Sequence, residues 1–184
     1  MSKLCSINKN LDKTICDYSL PQIVDIYLAN YADVKEATVD ESGEVSAFVM
    51  NGEGKWYHIE PNKNSASWGD RLAVGGSGNK YKIHSVSFSY SNKYDAGMVD
   101  TMDALALGRF LAVLIMADGS AVLLGNKVGL EASENDNVTN TGSGDATAEG
   151  GLSVTLSANC VASALPLAKT AIEAVSGTVV EEGE

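Results

Sequence analysis

The sequence predicts a mainly β fold: an antiparallel β-sandwich or barrel with one long β-hairpin arm and one flanking α-helix. Three observations carry this expectation. Several stretches alternate apolar and polar residues with the period of two that a pleated strand requires. Clusters of Asn, Asp, Gly and Ser separate them at intervals suited to turns. One central segment instead has apolar residues at helical spacing.

Taken in order, Gln22-Ile23-Val24-Asp25-Ile26-Tyr27-Leu28 follows Pro21 and is rich in β-branched and aromatic residues, which suits a strand. Residues 44–50 place Val45, Ala47 and Val49 on one face. Asn51-Gly52-Glu53-Gly54 then leads to Lys55-Trp56-Tyr57-His58-Ile59, and Asn-Gly between two apolar runs signals a hairpin. Residues 65–74 and 80–90 flank Gly75-Gly76-Ser77-Gly78-Asn79 and form the limbs of the long arm, with the glycine-rich segment as its tip. In the second limb the apolar positions change sides between Ile83 and Val86. A β-bulge near His84 and Ser85 would reconcile them, since one extra residue re-aims every side chain after it.

Met98, Met102 and Leu105 fall on one helical stripe, with Asp95 or Asp100 to cap its start and Gly108 to stop it. The runs 109–117 and 120–125 have no polar side and are joined by Asp118-Gly119. They read as a central hairpin buried on both faces, although pattern alone also admits a buried helix. Residues 131–151 are mostly Asn, Asp, Thr, Ser, Gly and Glu, and such a stretch is expected to form a flexible loop or to order only against a partner. Residues 152–158 alternate cleanly and give a last strand. Leu165-Pro166-Leu167 and a short helix over 169–175 follow, then a solvated tail near 176–184. No internal repeat or Pro-rich linker interrupts residues 1–184, so one domain is expected.

Charge narrows the functional classes. The chain has 24 acidic and 13 basic side chains, a net of −11, and a surface this negative repels phosphate backbones and disfavours nucleic-acid binding. Cys5, Cys16 and Cys160 are too few and too scattered for a disulfide framework or a CxxC metal site. Met1-Ser2-Lys3-Leu4-Cys5-Ser6 lacks the apolar stretch of a secretory signal, and the apolar run 110–117 is far shorter than a membrane span. His58 and His84 sit within predicted strands without local partners at triad or metal-ligand spacing and are expected on the sheet surface. Gly75-Gly76-Ser77-Gly78-Asn79 lacks the Gly-Lys-Ser/Thr ending of a phosphate loop. Glu134-Asn135-Asp136-Asn137 lacks the register of a calcium loop, and Asn137-Val138-Thr139 matches a glycosylation pattern without a secretory context. No catalytic residue, metal site or cofactor is therefore expected. Trp56 and Trp68 suit either a sugar-binding platform or a core and subunit interface, and the second is the commoner use of aromatic side chains.

The order of parts is strands, a long arm, a helix, Gly108-Arg109-Phe110-Leu111-Ala112-Val113-Leu114, Leu123-Leu124-Gly125, Gly129-Leu130-Glu131, a polar glycine-rich loop, a final strand and Leu165-Pro166-Leu167. Over residues 15–168 this pattern resembles the tail tube proteins of bacteriophages. The resemblance implies an antiparallel β-sandwich or barrel with one helix, hexameric rings, and rings stacked into a tube that conducts DNA. Its partners would be copies of itself and other tail proteins of the virion, with DNA only as cargo repelled by an acidic lumen, and no membrane. Assembly would take place in the cytoplasm of the host bacterium. The tip Gly75, Gly76, Ser77, Gly78 and Asn79 would reach between subunits, and Glu134, Asn135, Asp136, Asn137 and Asn140 between rings. The alternatives are a carbohydrate-binding or adhesin-like module, or another virion part such as a tail terminator, head–tail connector, baseplate hub or capsid decoration protein.

Overall fold

A computed structural model describes residues 22–91, 95–138 and 151–177. The fold is mainly β, with antiparallel strand pairing and two helices. In chain order the elements are β1 (Ile23–Asn30), β2 (Val34–Val39), β3 (Val45–Met50), β4 (Tyr57–Ile59), β5 (Ser67–Val74), β6 (Lys80–Tyr90), α1 (Ala96–Leu107), β7 (Arg109–Met116), β8 (Ala121–Leu124), β9 (Leu130–Val138), β10 (Gly151–Cys160), β11 (Leu165–Pro166) and α2 (Lys169–Gly177).

Strand β7 organises the molecule. On one side it pairs with β1 along nearly its whole length, from Asn30 opposite Phe110 to Ile23 opposite Met116. On its other side β8 covers Ala112 to Ile115, while β9 takes over at Arg109 and Phe110. The switch from β8 to β9 is a tight turn in which the Gly129 N–H donates to the Gly125 carbonyl at 2.7 Å. Both glycines have positive φ, and a Cβ on Gly129 would run into the Arg109 side chain. The sheet continues through β10 and β6 to β5, while β4 extends it beyond β1.

Within the apolar run, Phe110 to Met116 is buried or nearly so on both faces, while Arg109 and Ala117 at its ends are exposed. Ala112, Leu114 and Met116 join Ile26, Leu28, Val122 and Leu124 in a core completed by Val86 and Phe88 of β6, Leu152, Val154 and Leu156 of β10, and Met98 and Leu105 of α1. Strands β1 and β6 lie far apart in hydrogen-bonding order yet share this core, so the sheet curls back on itself. The alternate residues Tyr27, Ala29, Leu111, Val113 and Leu123 build a second core under the β2–β3 hairpin and α2, with Val45, Trp56, Ala171 and Val175. Helix α1 starts where Asp95 Oδ1 accepts the Met98 N–H at 2.9 Å and ends where the Gly108 N–H meets the Ala104 carbonyl.

Four expectations are corrected. Asn51–Gly54 is a turn, but β3 pairs with β2 and β4 with β1. The Asn51 N–H and side-chain amide donate to the Asp33 and Ala32 carbonyls, which turns the chain away from β3. On β3, Val45 is buried but Ala47 and Val49 face outward, while Phe48 and Met50 pack inward. The cause is a register shift: Thr38 lies opposite Ala47 and Val39 opposite Val45, which leaves Ser46 as an extra residue. No bulge occurs at His84. β6 keeps an unbroken register with both β5 and β10, and His84 occupies an inward position in line with Val86 and Phe88. Finally, residues 131–138 are not a loop: they belong to β9, paired with β10 from Ser157 opposite Glu131 to Gly151 opposite Val138. Leu130 and Ala132 supply its apolar contacts, and the partner strand satisfies its backbone. Asn140 and the rest of the polar segment lie outside the described residues, as does 178–184.

Candidate assembly surface

The long arm forms as its composition requires. β5 and β6 pair from Ser67 opposite Ser87 to Val74 opposite Lys80. At the tip, the Gly75 N–H donates to the Asn79 carbonyl at 2.8 Å, Gly78 N–H donates to the Gly75 carbonyl at 2.8 Å, and Ser77 Oγ donates to Asn79 Oδ1 at 2.8 Å. Gly78 has φ +82°, a conformation that side chains with a Cβ rarely adopt. The tip is therefore closed on itself.

One face of the arm runs from core to solvent without a break. Phe88, Val86 and His84 are buried, and in line with them on β5 lie Trp68, Asp70, Leu72 and Val74. Leu72 is 62% exposed, Val74 61% and Trp68 38%. Strand β5 is also an edge of the nine-stranded sheet, so its outer row of N–H and C=O groups has no strand partner among the described residues. An apolar, unpaired edge of this kind is a template for pairing with another chain. The arm is also basic: Arg71, Lys80 and Lys82 are set against Asp70 alone, in a chain whose net charge is −11.

A polar cluster fastens the root of the arm. His84 is 1% exposed, and its Nδ1 accepts the Gly125 N–H at 3.2 Å. The neutral ring consequently carries its proton on Nε2, which faces Asp70 Oδ1 at 3.9 Å. Asp70 Oδ2 accepts the Ala164 N–H at 3.1 Å, and Lys82 Nζ lies 3.3 Å from Oδ1. Burial pushes the imidazole pKa down, against the opposing pull of Asp70. Burial, with Asp70, raises that of the nearby Cys160 thiol. His84 was expected on the sheet surface and is instead a core residue. The signal was the even spacing of His84, Val86, Phe88 and Tyr90, which needs no bulge once histidine counts as an inward residue. His58 does lie on the surface, where it meets Asp25 at 2.8 Å.

Of the residues expected to reach between rings, Asn135 is tied down within the chain, while Glu134 and Asp136 are exposed. Glu134, Asn135, Asp136 and Asn137 all lie in β9, and Asn135 Nδ2 donates to the Met102 carbonyl of α1 at 2.7 Å. The aromatic pair is divided: Trp56 is 2% exposed and packs edge-on against Phe48 with ring centres 4.9 Å apart, so it offers no surface platform together with Trp68.

A second surface feature lies along β2. Together with residues 126–127, 161–163 and Leu165, β2 lines a cleft of about 870 Å³, to which Leu111 and His84 also contribute. Among the described residues no three His, Cys, Asp or Glu side chains converge as a metal site would require. Nor is any helix among them long and apolar enough to cross a membrane. No family model, curated protein or solved structure matches the chain.

Proposed function

We propose that the protein is a structural subunit rather than an enzyme, that it assembles with copies of itself, and that the assembly is the ringed, stacked tail tube of a phage virion. The observation that carries self-assembly is the arm: an unpaired edge strand whose core face continues into solvent as Trp68, Leu72 and Val74. Full burial of a Leu or Val side chain is worth about 1.5–3 kcal/mol. With roughly six-tenths of each still exposed, Leu72 and Val74 would each contribute about 1–2 kcal/mol on docking. The tube reading adds the resemblance in the order of parts, and the net charge of −11 suits a conduit that must not hold the DNA passing through it.

Electron microscopy and sedimentation of the purified protein test the proposal. Rings, or short tubes of stacked rings, are expected at high concentration. A protein that stays monomeric at every accessible concentration overturns the reading, and images of closed rings that never stack move it to a terminator or connector.

A further inference from the structure

The arm needs a receiving surface, and the cleft beside β2 has the matching features. We propose that β5 of one copy adds as a parallel strand to the free edge of β2 in a neighbouring copy, with the arm seated in the cleft. This rests on the self-assembly reading and specifies its contact.

Four observations support it. Strand β2 pairs only with β3 among the described residues, so its other edge offers unpaired backbone groups across six residues, to meet the eight of β5. Main-chain pairing between two free edges is the general mode of strand addition, with side-chain pockets supplying the specificity. The cleft supplies apolar walls, including Val34, Val39 and Val161, for Leu72 and Val74.

Charge sets the direction. One end of the cleft carries Lys35, Glu36 and Lys127, which leave a positive balance, whereas β2 ends at the turn that holds Asp40, Glu41 and Glu44. Parallel addition brings Lys80 at the arm tip beside those carboxylates. Antiparallel addition would bring it beside Lys127.

The receiver has to be a neighbour. In its own chain, the root of the arm is fastened to the 161–165 segment by the bond from the Ala164 N–H to Asp70. That same segment lines the cleft together with β2, and within one chain β5 ends the nine-stranded sheet while β2 pairs only with β3 among the described residues, so the two edges do not meet.

Disulfide trapping tests this in the full chain with Cys5 and Cys16 changed to Ser and the buried Cys160 retained. A Val74→Cys variant mixed with a Val39→Cys variant should give a disulfide-linked heterodimer on oxidation, in clear excess over a mixture of Val74→Cys with Val34→Cys. Leu72→Asp and Val39→Asp, both at exposed positions, should each abolish assembly while circular dichroism stays unchanged. Loss of assembly in Leu72→Asp alone, with no trapped heterodimer, overturns the cleft as receiver and leaves self-assembly through the arm intact. Preferential trapping with Val34→Cys overturns the parallel direction. Unimpaired assembly of both Asp variants overturns the inference and the role of the arm together.

Discussion

Replacing His84 with Phe isolates the fastening at the root of the arm. The substitution keeps an aromatic ring in a site that is 1% exposed but removes the acceptor for the Gly125 N–H. Gly125 is itself buried, and an orphaned buried donor costs about 1–3 kcal/mol. Taking about 2 kcal/mol, a chain of this size loses about 4–8 °C in Tm. The pH dependence makes the test specific. Burial lowers the folded-state pKa of His84 below its ordinary value of 6.5, so the unfolded chain binds the proton more readily. The stability His84 contributes is therefore fully present above pH 6.5 and is lost as pH falls below that value toward the folded pKa. The Phe variant lacks this titration, while all other groups are shared. Thermal melts of both proteins from pH 7.5 to 5.5 should show the wild-type advantage shrinking with acidity. An advantage that holds constant or grows toward pH 5.5 would refute the buried, neutral histidine and its bond to Gly125.

The remaining predictions concern the two tryptophans and β9. Trp56→Ala should cost about 3–5 kcal/mol, because it empties a core position against Phe48. Trp68→Ala should change the melting midpoint little and weaken association instead, which chemical denaturation and sedimentation separate. Asn135→Ala removes the bond to the Met102 carbonyl and should cost about 1 kcal/mol, with faster amide exchange concentrated in α1. Deleting residues 134–144 should prevent folding outright, since it removes half of a strand paired with β10; a variant that folds but fails to stack would restore the loop role expected from composition.

The parts of the fold that could be read from the sequence are those where side-chain pattern and backbone partner agree. The arm was legible because its two limbs flank a glycine-rich tip, and β7–β8 because a run of eight consecutive apolar residues, 110–117, suits only a doubly buried position. Strand β9 was illegible because its order derives from neighbours: Leu130, Ala132 and Val138 apart, its residues are polar, and the strand is held by the backbone of β10 and the Asn135 bond to α1. The β3–β4 turn misled because Asn-Gly specifies a reversal but not the strand that follows it, and contacts with residues 32–33 decided the partner. At the arm, glycine spacing located the tip, whereas its exposed face lies along β5. Leu72 and Val74 become notable only once the core is seen to stop beneath them.

The link between β1 and β7 also bears on when the proposed joint could form. Residues 23–30 meet β4 on one edge but gain their full-length partner at 109–116, a long-range pairing of the kind that slows folding. Both halves of the proposed joint are synthesised early, β2 and β5 within the first half of the chain. Each is secured by residues made late: the arm by Gly125 and Ala164, the β2–β3 hairpin by the entry to α2 through the bonds of Ala168 N–H to the Val45 carbonyl and of Thr170 Oγ1 to the Ser46 carbonyl. A nascent chain on the ribosome thus carries both proposed contact strands without the scaffold that aims them, and the proposed assembly would wait for a finished subunit.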